Sequence, residues 1–260
     1  MKIAHEAPIS IFNEVDQLTD YNYALVHLLD ENRAYRDKFV SLSSEGREII
    51  LDNSIFELGT AFNSDVFVDW VKDLQPTWYI IPDALENKDK TLDQFDDWMT
   101  RHASTPGKKI GVVQGKNIDE VIECYNHMIN HVDKIAISFD YSFFESMFPY
   151  EQSKYISWLK GRVHLLHTLL KAGVIDQNKP HHLLGCGLPQ EFLYYRHYKW
   201  VDSIDTSNPV VHGIMRKSYK AHGLDDKVSI KLCELIDTEI DESQFNIIKY
   251  NISMFRGFCK

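Results

Sequence analysis

Four short apolar segments of this chain each end in a carboxylate or amide where the hydrophobic run gives out. They are EIILDNSIFELG (48–59), WYIIPD (78–83), KIGVVQG (109–115) and WVDSIDTSNP (200–209). Each opens with β-branched or aromatic residues, as a buried parallel strand does, and each leads into a turn or a helix-like stretch. Strands that repeatedly deliver a polar side chain at their C-terminal ends describe the active face of a (β/α) barrel. Asp52, Asp83, Gln114 and Asp205 are therefore expected to converge from four strands onto one pocket.

The rest of the chain keeps the alternation. A first strand is expected at the extreme N-terminus, 23–29 reads as a strand and 32–45 as a helix. Strand 48–52 is followed by helix 63–74, capped by Asn63 or Ser64, with Phe67, Val68, Val71 and Leu74 on one face. Strands at 77–82, 109–113, 133–140, 181–187 and 200–205 then alternate with helices at 88–101, 117–130, 151–172 and one opened by Pro189. The last forty residues read as helical over 230–237 with a final aromatic segment. Seven or eight such units predict the α/β class and a (β/α)8 TIM barrel, one domain over 1–260 with about 222–260 as a helical extension packed on it. A length of 260 residues with 44% hydrophobic content suits that fold.

Several function classes drop out. No GxGxxG or GxxxxGK[ST] is present, so dinucleotide and P-loop readings have no support. No apolar run reaches membrane-spanning length, and MKIAHEAPIS lacks the apolar stretch of a signal peptide, so a cytoplasmic protein is expected. Cys124, Cys186, Cys233 and Cys259 are far apart, which argues against disulfides and a Cys-rich zinc site. His181 and His182 are strand neighbours that point to opposite faces, so one ion cannot take both. No metal and no cofactor is expected.

Net charge is −10, but it is unevenly spread. Residues 154–220 hold ten Lys/Arg against four acids, a local +6 that leaves −16 elsewhere. That third of the chain is either an ordinary solvated surface or an electropositive wall suited to a phosphate backbone.

Asp205, in SIDTSNP, can act as a nucleophile that forms a glycosyl or acyl intermediate, or as a metal ligand. Its plain alternative is a turn-forming aspartate. Asp52 in LDNS has the same two readings, Asp83 could cap the next helix, and Gln114 could be an exposed turn residue. Gly115 permits close approach of a ligand to the backbone.

Taken in order, LDNSIF, IIPD, GVVQG, IAIS, LLGCGLP and SID across about 48–213 resemble the tRNA-guanine transglycosylase superfamily. HHLLGCGLPQEF and SIDTSNPVVHG look closest to its phage-type branch, related to enzymes that insert 7-deazaguanines into DNA. The resemblance implies a TIM barrel that exchanges guanine for a 7-deazaguanine base. It places the nucleophile on Asp205 and the second catalytic aspartate on Asp52, with Phe56 stacking on the base. Asp83, Gln114 and Gly115 would read the base edge, the backbone at Ile137 and Ser138 would contact the exocyclic amine, and Gly185 to Gly187 would line the floor.

The chain also departs from that pattern. Asn53-Ser54-Ile55 stands where the tRNA enzymes have Ser-Gly-Gly, and Asn208-Pro209-Val210 replaces their Pro-Thr-Arg. Their zinc site of three cysteines and a histidine has no counterpart. DNA is thus expected as the polymer substrate ahead of tRNA, with a free 7-deazaguanine base as co-substrate. Lys217 and Lys220, which follow the Asp205 strand, are the expected contacts to the nucleic-acid backbone. A hydrolytic N-glycosidase on the same barrel and a non-catalytic nucleic-acid-binding relative remain the alternatives.

Overall fold

In the computed structural model, which describes all 260 residues, eight strands form one sheet. They are β1 (Lys2–His5), β2 (Asn22–Leu25), β3 (Ile49–Asp52), β4 (Trp78–Ile80), β5 (Lys108–Val113), β6 (Lys134–Ile137), β7 (His181–Leu183) and β8 (Val201–Thr206). The order is β1-β8-β7-β6-β5-β4-β3-β2, with every neighbouring pair parallel. The sheet curls until its two end strands meet, and helices alternate with the strands around it. This is the (β/α)8 barrel that the strand-end pattern predicts.

β1 and β2 share no strand ladder; side chains close the seam instead. Ile3 O accepts from the Asp20 amide (2.9 Å) and from Thr19 Oγ1 (2.9 Å). In return Asp20 Oδ2 accepts from Ile3 N (2.8 Å) and Thr19 Oγ1 accepts from His5 N (2.9 Å). Thr19 and Asp20 thus take the place of a strand partner and leave no bare sheet edge at β1.

The helices are set by their caps. Arg33–Ser44, Ser64–Leu74, Lys88–Arg101, Ile118–Met128 and Lys154–Lys171 begin after Asn32, Asn63, Asn87, Asn117 and Ser153, and each cap oxygen accepts a backbone N–H of the first turn. A helix start leaves such donors unpaired, so each cap fixes where the chain turns from strand end to helix. Phe67, Val68, Val71 and Leu74 are buried together, as their spacing requires.

Some boundaries differ from the sequence expectation. The run at 23–29 is a strand only to Leu25; Val26–Glu31 is a helix, since a short buried apolar run reads the same either way. Helices Tyr141–Met147 and Asn208–Ile214 stand where none is read from the sequence. The stretch opened by Pro189 is a 3₁₀ helix, Pro189–Tyr194, and 230–237 contains only a 3₁₀ turn, Leu232–Leu235. The aromatic tail is the long helix Glu242–Cys259, started by a reciprocal Asp241/Gln244 capping box.

The seam carries the first prediction. Thr19→Val keeps the side chain's shape but removes one acceptor and one donor from buried backbone groups, and should lower stability by ~1–3 kcal/mol. Urea unfolding of the variant and parent checks this, and an unchanged midpoint would show that the seam does not depend on Thr19.

Candidate active site

Residues on an inward row of a parallel strand alternate with outward ones, and the register aligns those rows between strands. Tyr23 pairs with Ile50, Leu25 with Asp52, His182 with Ser203 and Ala4 with Asp205. Asp52 and Asp205 consequently stand at the C-terminal mouth of the barrel, on strands that lie on either side of the β1–β2 seam.

Asp205 is buried, and its contacts come from β7 and the turn after it. Its Oδ1 is 2.9 Å from His182 Nε2 and accepts from the Gly185 amide at 3.2 Å. It caps nothing: the Asn208 amide donates to Thr206 Oγ1 instead. Asp52 Oδ1 does form an Asx turn with the Ser54 amide (2.6 Å), while Oδ2 accepts from the Tyr23 hydroxyl (2.7 Å). The plain reading of Asp52 as a turn-forming residue therefore holds, and the turn leaves its carboxyl at the mouth. The Tyr23 and His182 rings lie nearly parallel at 6.0 Å, so the two aspartates are joined by a short path of side chains. Burial, reinforced by Glu57, drives the Asp52 carboxyl well above the usual carboxylate range.

Asp83 is not a helix cap; Asn87 caps the next helix. Its Oδ1 accepts from Asn53 Nδ2 (2.8 Å) and its Oδ2 from Gln114 Nε2 (2.7 Å). Gln114 Oε1 in turn accepts from the Glu86 amide at 2.9 Å, so Gln114 is buried and fixed. Burial pushes Asp83 up to about 6, against these donors. A Cβ on Gly115 would come within 2.9 Å of Val121 N, so glycine lets the helix Ile118–Met128 pack against this turn. Ile137 is buried with its carbonyl accepting from the Leu184 amide, and Ser138 is buried beside it.

The turn after β7 is pinned from below. Arg162, wholly buried, donates to the carbonyls of Leu184 (2.7 Å) and Gly185 (3.0 Å) and pairs with buried Glu191 at 2.6 Å. Gly185 has φ +61°, a left-handed conformation suited to glycine, and a Cβ on Gly187 would press on the Phe139 ring at 3.0 Å. Phe56 is half-exposed at the rim, its ring 6.2 Å from that of Tyr141.

Lys217 and Lys220 do not reach this site through any hydrogen bond; both are exposed and Lys220 pairs with Asp225. The lysines that reach the mouth are others. Lys227 Nζ donates to Cys186 O (2.8 Å), and Lys231 Nζ donates to the carbonyls of Phe56 (3.0 Å) and Glu57 (3.1 Å). The sequence reading also passes over Glu6, Tyr23, Glu57, Asp140 and His182. Burial lifts the Glu6 carboxyl well above its ordinary value, with Asp205, Glu57 and Asp52 adding to the effect, and lifts Glu57 to about 7. Of these, Asp140, at the polar end of the expected strand 133–140, and His182, the inward member of a His pair one strand from Asp205, carried a signal; the outward neighbour His181 meets Tyr125 at 2.9 Å.

The site is thus a ring of buried carboxyls and amides at the barrel mouth, able to hold and move protons and to present donors and acceptors to a flat polar ligand. No protein-family model matches the chain, and no curated protein matches its sequence. No helix is long and apolar enough to cross a membrane.

Asp140 gives a test of this proton store. Its carboxyl is buried near Ser138 and the Gly115 amide with Oδ1 unpaired, and burial pushes it up to about 7. A carboxyl raised by folding favours the folded state below its ordinary value near 3.8, and that contribution is lost as pH rises to about 7. Asp140→Asn should flatten the fall in stability across this window and leave the variant more stable at pH 8 by ~1–3 kcal/mol. Chemical denaturation at pH 4.5, 6 and 8 measures it, and parallel profiles for the two proteins would refute it.

Proposed function

We propose that this chain is a base-exchanging N-glycosyl transferase that replaces guanine in nucleic acid, with DNA as the favoured polymer, by a 7-deazaguanine base. The observation that carries the reading is the pair of buried aspartates at the mouth with different surroundings. Asp205 has one oxygen held by two N–H donors and the other, Oδ2, without a hydrogen bond. Burial, with Glu57 beside it, raises the Asp52 carboxyl well above the usual carboxylate range, which favours its protonated form. A fixed carboxylate with a free oxygen suits a nucleophile, and a partner whose burial favours the protonated form suits a general acid.

In the proposed reaction Asp205 Oδ2 attacks C1′ of the target nucleotide as the C1′–N9 bond breaks. Asp52 gives its proton to the departing guanine. The incoming base then attacks C1′, displaces Asp205 and returns a proton to Asp52. Two displacements retain configuration and consume no water. Asp83 and Gln114, already oriented by Asn53 and the Glu86 amide, would present the base-reading edge, with Phe56 and Tyr141 against its faces. The nucleotide must first leave the stack, at a cost of a few kcal/mol.

The decisive experiment incubates the protein with DNA carrying labelled guanine. Release of label only when a free 7-deazaguanine base is added supports exchange; release without it indicates hydrolysis, and no release indicates a binder. Asp205→Asn should unfold as the parent does yet lose ~10³-fold or more of its activity and form no covalent adduct with DNA. Full activity in that variant would remove Asp205 from the role.

Backbone contacts are tested by salt. Arg196 donates to the carbonyls of Gly257 and Phe258 at the end of the last helix, so its charge is committed to the fold. The Lys220–Asp225 pair is exposed and such pairs exchange readily for a phosphate. Replacing Lys217 and Lys220 together by Gln should reduce the slope of log affinity for DNA against log salt by roughly 1–2. Replacing Arg196 and Lys199 should leave that slope unchanged, and the reverse ranking would move the DNA to another face.

A further inference from the structure

Below the two aspartates the barrel interior is crossed by a file of polar groups. Lys134 opens β6 on the same inward row as Ala136, which is paired with His182. It is fully buried, its ammonium 2.6 Å from Asp202 Oδ2, 3.1 Å from Ser203 Oγ and 4.2 Å from the centre of the Trp78 ring. Ser203 lies directly across the β7–β8 ladder from His182, its Oγ 3.0 Å from His182 Nδ1. His182 Nε2 then lies 2.9 Å from Asp205 Oδ1. The contacts run unbroken from Asp202, part-exposed at the N-terminal end of the barrel, to the proposed nucleophile at its mouth.

Hydrogen-bond chemistry gives this file a direction. An ammonium only donates, so Lys134 occupies a lone pair of Ser203 Oγ. Apart from the imidazole itself, Lys134 is the group whose hydrogen bond to that oxygen has full geometry. With the Asp205 carboxylate taking the Nε2 proton, Nδ1 is bare and accepts the serine proton, which the Lys134 contact leaves free. Burial lowers the pKa of His182, so the ring carries a single proton, and that proton falls on Nε2, facing Asp205. The other tautomer would set the Nε2 lone pair against a carboxylate oxygen. A buried lysine also costs desolvation that an apolar side chain of similar size would not, so stability alone gives no reason for it.

We propose that Lys134 and Ser203 are positioning residues that hold His182 in its Nε2–H tautomer, and that this N–H fixes the Asp205 carboxylate with Oδ2 turned towards the substrate. The consequence for catalysis rests on the transglycosylase reading above; the tautomer itself does not.

The test uses the full chain labelled with ¹⁵N-histidine, the His182 signals being assigned by their loss in His182→Gln. In the parent protein Nδ1 should resonate as a bare ring nitrogen and Nε2 as a protonated one. Ser203→Ala should shift population to the Nδ1–H form, while Ser203→Thr, which keeps the hydroxyl, should retain the parent pattern. A parent protein with Nδ1 protonated, or a Ser203→Ala variant with unchanged shifts, would overturn the proposal. Where exchange activity is present, Ser203→Ala should lower kcat at least about tenfold with KM for the free base unchanged, and Ser203→Thr should restore it. A loss of kcat without a change of tautomer would also overturn it. Should the parent exchange no base, the transglycosylase reading falls, and the nitrogen shifts still decide the tautomer.

Discussion

Asp52, Asp83, Asp140, Glu6 and Glu57 crowd one end of the barrel, and burial raises the pKa of every one of them. The lysines nearby offset little of this. Lys231 spends its ammonium on the carbonyls of Phe56 and Glu57, and burial lowers the pKa of Lys227. A group of buried carboxyls without matching cations is tolerated only if several keep their protons or find N–H donors. Neighbouring side chains and amides supply those donors: Asn53 and Gln114 to Asp83, Tyr23 and the Ser54 amide to Asp52, His182 and the Gly185 amide to Asp205. The arrangement of the mouth follows from satisfying carboxyls.

The scaffold keeps those donors in place. The Gly185 amide reaches Asp205 because Arg162 holds the carbonyls on either side of the Leu184–Gly185 step, and Arg162 is itself held by Glu191, which also accepts from the Tyr195 hydroxyl at 2.6 Å. Removing one member of such a buried pair leaves a bare charge in the core, so this network resists piecemeal change. The β1–β2 seam matters for the same reason. Asp205 is on the strand next to β1 and Asp52 on the strand next to β2, so the closure by Thr19 and Asp20 sets how the two halves of the site face each other.

The strands and their polar ends were legible because both are local properties: a run of β-branched and aromatic residues gives the strand, and the first polar inward residue after it gives the pocket. Asp52, Asp83, Gln114 and Asp205 could be picked out in that way. Their partners could not. Tyr23 reaches Asp52 across 29 positions and His182 reaches Asp205 across 23, and both sit in apolar runs where a polar ring looks like core. Glu6 lies just beyond β1 in a stretch with no repeated pattern. The end of the strand expected at 23–29 was missed for a related reason, since nothing in YALVHLL marks where the barrel mouth ends the strand. Lys217 and Lys220 make no hydrogen bond to the carboxyls of the mouth because the segment after β8 folds back over helix Glu242–Cys259, where the Asn251 side chain holds both the Lys217 carbonyl and the Tyr219 amide.

The two aspartates show how one fold can give chemically identical side chains different surroundings. Asp52 takes both its donors from its own side of the seam, Tyr23 on the neighbouring strand and Ser54 two residues on, and these occupy both of its oxygens. With Glu57 close by and no cation opposite, it gains by keeping a proton. Asp205 takes both its donors on one oxygen, from a neutral imidazole and a backbone amide that have no charge of their own to trade. Its second oxygen takes no donor from the protein at the mouth. On the proposed reading, a carboxyl that burial inclines to keep its proton and a second one with an open oxygen are the two components a double displacement needs, and the difference between them comes from which neighbouring strand supplies the donors.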